Sequence, residues 1–142
     1  MPKLHFEKFV NSPRDKVFKI FTDYVNYQNL FPQYFPSVRV LSTRNEISVI
    51  EVHMMLGKRE LIMMTKHIIL EPDSHEMFVI GGDAKGSHII ERFTNYSNGT
   101  KLVVDADFKL KKGMNFFSVF DKHDIESDYS EIISECVKRV EI

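Results

Sequence analysis

The chain has 142 residues, 43% of them hydrophobic, with 19 basic and 20 acidic side chains and a formal net charge of -1. That length predicts one domain over residues 1–142, and the apolar content excludes a disordered chain. The balanced charge argues against a nucleic-acid surface, and no apolar run approaches the ~20 residues of a membrane helix.

The single cysteine, Cys136, leaves no internal disulfide to form, which fits a reducing, cytoplasmic setting. Polar and apolar residues alternate from Met1 to Val10, unlike a secretory signal. Twelve phenylalanines, no tryptophan and seven methionines complete an apolar set rich in adaptable side chains.

Lys3 to Val10 reads as a strand. Ser12 then suits a helix N-cap, Pro13 the first helical position and Asp15 the first turn. Val17, Phe18, Ile20 and Phe21 give this helix a buried face. A second short helix is predicted from Asp23 to Phe31, and Pro32 and Pro36 bracket Tyr34 and Phe35 in a loop. Six strands are predicted next: Val38 to Arg44, Ile47 to Leu56, Arg59 to Glu71, His75 to Gly82, Gly86 to Ser97 and Thr100 to Lys111. Their turns fall at Asn45-Glu46, Gly57-Lys58, Pro72-Asp73-Ser74, Ala84-Lys85 and Asn98-Gly99, the last being the strongest hairpin signal. Ile125, Tyr129, Ile132, Ile133, Cys136, Val137 and Val140 recur at helical spacing and predict a closing amphipathic helix. This order describes an α+β fold: seven antiparallel strands curved around one long C-terminal helix, with two short helices after the first strand.

Period-two alternation sets the faces. In the last strand Leu102, Val104, Ala106, Phe108 and Leu110 face inward. An Asn98-Gly99 turn pairs Phe93 with Val104, Glu91 with Ala106 and Ile89 with Phe108, and puts Arg92 opposite Asp105. A two-residue turn at Ala84-Lys85 then points Phe78 and Ile80 inward. Further back, Leu61, Met63, Thr65, His67 and Ile69 point inward, followed by Ile50, Val52 and Met54. Val38 and Val40 come out facing solvent. The inward set holds two ionisable exceptions, His67 and Glu91, expected on the order of 11–12 Å apart from strand spacing and rise. A buried carboxylate must be hydrated, paired or protonated, so Glu91 demands an explanation.

Other motifs carry less. Gly81 to Ser87 lacks the Gly-Lys-Ser/Thr ending of a phosphate loop and leads into a strand. His53, His75 and His88 come out facing outward with no ligand spacing between them, so no metal is expected. His123-Asp124 reads as solvated surface. Asp105 and Asp107 share a face with Lys101 and Lys109, a mixed charged surface.

The chain resembles the START-like (SRPBCC, Bet v 1-like) superfamily over nearly its whole length. The resemblance rests on the first strand, Ser12-Pro13, Val17-Phe18, Phe21, Asp23, Tyr27, the Phe31-Pro32 to Pro36 segment, the strand run with Asn98-Gly99-Thr100, and the final helix. The polyketide cyclase/dehydrase-like and coenzyme Q-binding branches are the most similar in this opening. It implies a helix-grip fold whose hollow holds a hydrophobic small molecule such as a lipid, isoprenoid, quinone or polyketide. The implied cavity is lined by Met54, Leu61, Met63, Thr65, His67, Phe78, Ile80, Ile89, Glu91, Phe93, Val104, Ala106 and Phe108. Tyr34, Phe35, Phe116, Phe117 and Phe120 would form its mouth or lid. No cofactor is implied. A cyclase or dehydratase is the alternative, against which stands the lack of a compact acid–base pair. An interaction module with a closed cavity is the second, fed by outward Val49, Ile62 and Met64, which would equally serve a homodimer.

Overall fold

The structure is a computed structural model and describes residues 3–109 and 122–141. Strand β1 (Lys3–Val10) leads into helix α1 (Arg14–Phe21), a 3-10 turn (Tyr24–Asn26) and the one-turn helix α2 (Tyr27–Leu30). Strands β2 (Ser37–Arg44), β3 (Ile47–Leu56), β4 (Arg59–Leu70), β5 (Ser74–Gly82), β6 (His88–Tyr96) and β7 (Gly99–Asp107) follow, and helix α3 (Lys122–Val140) closes the chain. All pairings are antiparallel, in one seven-stranded sheet of order β1-β7-β6-β5-β4-β3-β2. The buried faces of α1, α2 and α3 and the inner face of the sheet share one apolar core. Phe93 sits at its centre, with the Phe18 and Phe21 rings edge-on at 5.3 and 5.8 Å.

The first helix starts one residue later than predicted. Pro13 takes the N-cap position with extended backbone, and no side chain caps the helix. Ser12 is buried and its carbonyl accepts the Thr100 hydroxyl at 2.8 Å.

Three turns depart from their predicted form. Tyr96 pairs with Gly99, so Ser97 and Asn98 make the β6–β7 turn, with Ser97 at φ 55°. Gly99 belongs to β7: a Cβ there would lie 2.4 Å from the Val10 carbonyl oxygen, so the approach of β1 requires the glycine. The register therefore slides by two residues, which preserves every facing. Glu91 opposes Val104, and Arg92 opposes Val103 yet still reaches Asp105 diagonally at 3.0 Å.

The second departure inverts a strand. Phe78 pairs with His88, so the β5–β6 connection is a long loop in place of a two-residue turn at Ala84-Lys85. Gly86 and Ser87 fold back to exchange backbone hydrogen bonds with Val79. Buried Ala84 anchors the loop. The slip is odd, so His75, Met77 and Val79 turn toward the core while Phe78 and Ile80 turn out. Phe78 instead stacks on the His88 ring at 4.6 Å, and Ile80 is 43% exposed.

The third departure undoes the second. Leu70 pairs with Ser74 across Glu71-Pro72-Asp73, another odd change, so Leu61, Met63, Thr65 and His67 face inward as predicted. At the far edge, a bulge between Val40 and Ser42 turns Val38 back against the core, correcting its predicted outward facing. Val40 shares that face but lies 39% exposed on the edge strand.

Gly82 marks where β5 breaks from β4. Its φ is 79°, and a Cβ would lie 2.3 Å from the Ile62 carbonyl oxygen. Gly82→Ala is expected to cost about 1–3 kcal/mol of stability, read as a lower urea midpoint at unchanged m-value. An unchanged midpoint would mean that this backbone turn is not held.

Candidate functional site

Between the sheet and α3 lies a hollow of about 60 Å³. Sheet residues Ile50, Val52, Met54, Met63, Met77 and Val79 supply one wall. Tyr129, Ile132, Ile133 and Cys136 supply the other, because four helical positions at three- and four-residue steps point the same way. Phe21, Tyr27 and Phe35 close one end, and Ile89 and Phe108 the rest.

Three polar side chains of the sheet reach this apolar surface: Thr65, His67 and Glu91. Thr65 and His67 are neighbours on the inner face of β4, two residues apart, and Glu91 stands two strands away on β6. His75 on β5 bridges them. The Thr65 Oγ1 lies 2.8 Å from His67 Nε2. His67 Nδ1 lies 2.7 Å from His75 Nε2. His75 Nδ1 lies 2.9 Å from Glu91 Oε1. All four side chains are buried, His75 completely. Glu91 thus obtains the partner that a buried carboxylate requires.

The chain of bonds has a direction. When the Glu91 carboxylate accepts from His75 Nδ1–H, a neutral His75 leaves Nε2 as an acceptor. His67 must then donate through Nδ1–H, and its free Nε2 accepts the Thr65 hydroxyl proton. One added proton reverses the Thr65–His67 and His67–His75 bonds and leaves the His75–Glu91 bond as it was: His75 donates from both nitrogens, and His67 donates from Nε2–H to the Thr65 oxygen. Both arrangements keep all three hydrogen bonds.

Surrounding groups hold the histidines in place. The Tyr24 ring packs over His67 at 4.7 Å and over His75 at 6.3 Å. The Tyr24 hydroxyl donates to Ser48 at 2.6 Å, which fixes the ring. Burial, and then repulsion from His75 whenever that ring is protonated, hold His67 well below the usual histidine range. Burial and then the Glu91 charge push the Tyr27 and Tyr129 phenols well above theirs, so both remain O–H donors. The Tyr27 hydroxyl donates to the Phe21 carbonyl. The same two causes push the Cys136 thiol up, which keeps it protonated and unreactive.

Of the residues expected to line a cavity, Met54, Met63, Thr65, His67, Ile89, Glu91 and Phe108 reach the hollow. Leu61, Phe93, Val104 and Ala106 are buried in the core beside it. Phe78 and Ile80 lie on the opposite face of the sheet. Phe35 is a buried wall residue, while Tyr34 is half-buried and its carbonyl accepts the Met55 N–H at 2.7 Å, tying the loop to β3. Phe116, Phe117, Phe120 and Leu110, and the side chain of His123, fall outside the described residues. His75 is the member of this buried row that the sequence reading turned outward. The signal that could have found it was Glu91, whose burial called for a cationic or donor partner on a neighbouring strand. Among the described residues no cluster could hold a metal ion, and no helix is long and apolar enough to cross a membrane.

No protein-family model matches the chain, and no curated protein sequence matches it. Solved structures do. A protein from Thermus thermophilus is 13% identical with a TM-score of 0.83, covering 98% of this chain and 97% of its own. A START superfamily protein from Mycobacterium smegmatis is 14% identical at a TM-score of 0.77, covering 98% and 94%. The Zhui aromatase/cyclase from a Streptomyces species is 12% identical at a TM-score of 0.72, covering 98% and 93%. With its seven-stranded antiparallel sheet, short helices after β1 and C-terminal helix, the chain has the START/Bet v 1-like helix-grip fold.

Proposed function

We propose that this protein binds a hydrophobic small molecule in the hollow between sheet and α3. The observation that carries the reading is an apolar enclosure with a polar chain set into one wall. Small-molecule sites combine these features: apolar lining for affinity and a few placed polar groups for orientation. Apolar burial would drive binding at roughly 25 cal/mol per Å². Thr65, His67 and Glu91 would orient the ligand.

The hollow's size constrains the reading. About 60 Å³ has room for a few waters, whereas drug-sized ligands occupy roughly 300–1,000 Å³. A lipid, quinone or polyketide would therefore have to enlarge the hollow. Met54, Met63 and Met77 line it, and unbranched thioether side chains can change rotamer at little cost.

Native mass spectrometry of freshly purified protein, followed by organic extraction, tests the proposal. A stoichiometric apolar molecule is expected to co-purify, with retention reduced in His67→Leu. Protein that is ligand-free and takes up no quinone, fatty acid or fluorescent apolar probe would overturn the reading. It would favour a filled core that serves a surface interaction.

A further inference from the structure

An anchoring role needs only one polar group, yet four are hydrogen-bonded in series here. Both ring nitrogens of His67 and of His75 are engaged, at 2.7–2.9 Å. The series runs from Thr65 to Glu91, both of which line the hollow, by way of His75, which is fully buried and not among the lining residues. A hydrogen-bonded row with two complete arrangements, differing by one proton, can carry a proton from one end to the other.

We propose that Thr65, His67, His75 and Glu91 form a proton wire that accepts a proton from a neutral ligand bearing a weakly acidic hydroxyl, a phenol or enol, which is then held as its oxyanion. This rests on the reading of the hollow as a ligand site and names the chemical class of the ligand. The transfer balances. The ligand O–H proton passes to Thr65 Oγ1 as the Thr65 proton passes to His67 Nε2. The His67 Nδ1 proton passes to His75 Nε2. His75 becomes an imidazolium beside the Glu91 carboxylate, and the ligand oxygen keeps the electron pair of its O–H bond. Thr65 now accepts from His67 and donates its new proton to the ligand oxyanion. No bond between heavy atoms forms or breaks, and no co-reactant is needed.

The surroundings fit this direction of transfer. Among the described residues the hollow's lining contains no Lys or Arg, so a ligand that arrives already charged, such as a fatty-acid carboxylate, would meet Glu91 without a counter-ion from them. A neutral hydroxyl brings no such penalty. Among the described residues, the ionisable groups around the wire are Tyr24 from the 3-10 turn, Tyr27 from α2, and Tyr129 and Cys136 from α3. None of these is a second base: the Tyr27, Tyr129 and Cys136 protons are held by burial, and the Tyr24 hydroxyl is committed to Ser48. Tyr129 lines the same hollow and offers a second O–H donor to an oxyanion.

The test uses 4-cyanophenol and its methyl ether, 4-methoxybenzonitrile, at neutral pH, where the free phenol is mostly un-ionised. Binding is followed by displacement of a fluorescent apolar probe, and ionisation by the phenolate absorption band. Wild-type protein is expected to bind both compounds and to produce the phenolate band with the phenol. Glu91→Gln and Thr65→Val are each expected, whatever their affinity, to lose at least tenfold of the band intensity per bound phenol, compared with wild type at equal phenol occupancy. Thr65→Val is nearly isosteric and leaves the buried pair intact, so one variant remains informative if the other fails to fold. Phenol bound to wild-type protein without the band would overturn the wire and leave the binding role standing. So would a band that survives in either folded variant. Failure of both compounds and the apolar probe to bind would overturn the two readings together.

Discussion

Replacing His75 with leucine is expected to lower the free energy of unfolding by about 3–5 kcal/mol. His75 is completely buried, and its Nδ1 is the described partner of a Glu91 carboxylate that is itself 3% exposed. Removing the imidazole leaves that carboxylate in an apolar wall with nothing to offset its lost hydration. The His67 Nδ1 loses its partner at the same time. Most of the expected loss comes from these stranded groups, not from the net worth of the bonds, which is about 1 kcal/mol apiece. The double variant His75→Leu/Glu91→Leu should therefore be more stable than His75→Leu alone, although it removes more native contacts. Urea unfolding of the wild type, His75→Leu, Glu91→Leu and the double variant completes the cycle. A loss below about 1 kcal/mol in His75→Leu would mean that Glu91 is hydrated or otherwise paired, and the buried chain would be refuted.

Stability is also expected to fall as pH drops below about 6.5, by up to about 1.4 kcal/mol per pH unit from His67 alone. The sign follows from its environment. Burial, and then repulsion from His75 whenever that ring is protonated, hold the folded-state pKa well below the ordinary 6.5. Between those two values the unfolded chain binds a proton at this position and the folded chain does not. Stability is thus fully present above about 6.5 and is lost as pH falls toward the folded value. His5 works in the opposite sense: hydrogen bonds to Asp105 and then Glu7 raise it, so its contribution is present at low pH and fades as pH rises. That residue is exposed and salt-screened, so its effect is small. Comparing wild-type protein with His67→Gln between about pH 7.5 and 5 separates the two. The variant should show a shallower fall, and equal slopes would place His67 in contact with water.

Much of the fold was legible in the sequence because its signals were redundant. β1 and β3 have their predicted bounds, since alternation, flanking turns and composition agree there. The helical spacing of Ile125 through Val140 identified the buried face of α3 for the same reason. What failed was propagation of register through turns. Asn98-Gly99 looks like a hairpin turn, but Gly99 is required by the approach of the Val10 carbonyl from β1, a tertiary contact that local sequence does not record. Ala84-Lys85 looks like a two-residue turn, but buried Ala84 sits within a longer loop. In β5 both alternating sets are largely apolar: Met77 and Val79 on one side, Phe78 and Ile80 on the other. Alternation therefore gave no warning of the inversion. Two odd slips cancelled, so His67 faced the right way while His75 did not. The central feature of the candidate site, the bridge between His67 and Glu91, was lost in that one strand.

The most direct test of an internal ligand site is methyl NMR of protein labelled at methionine, titrated with an apolar ligand or with 4-cyanophenol. Met54, Met63 and Met77 line the hollow, while Met55 alternates away from it and Met64 lies 38% exposed on the outer face. Ligand addition should shift the three inner methyl signals saturably and leave those of Met55 and Met64 in place. Saturable shifts confined to Met64, or inner methyls that stay fixed with every ligand, would contradict a binding hollow and identify the space beneath α3 as packed core.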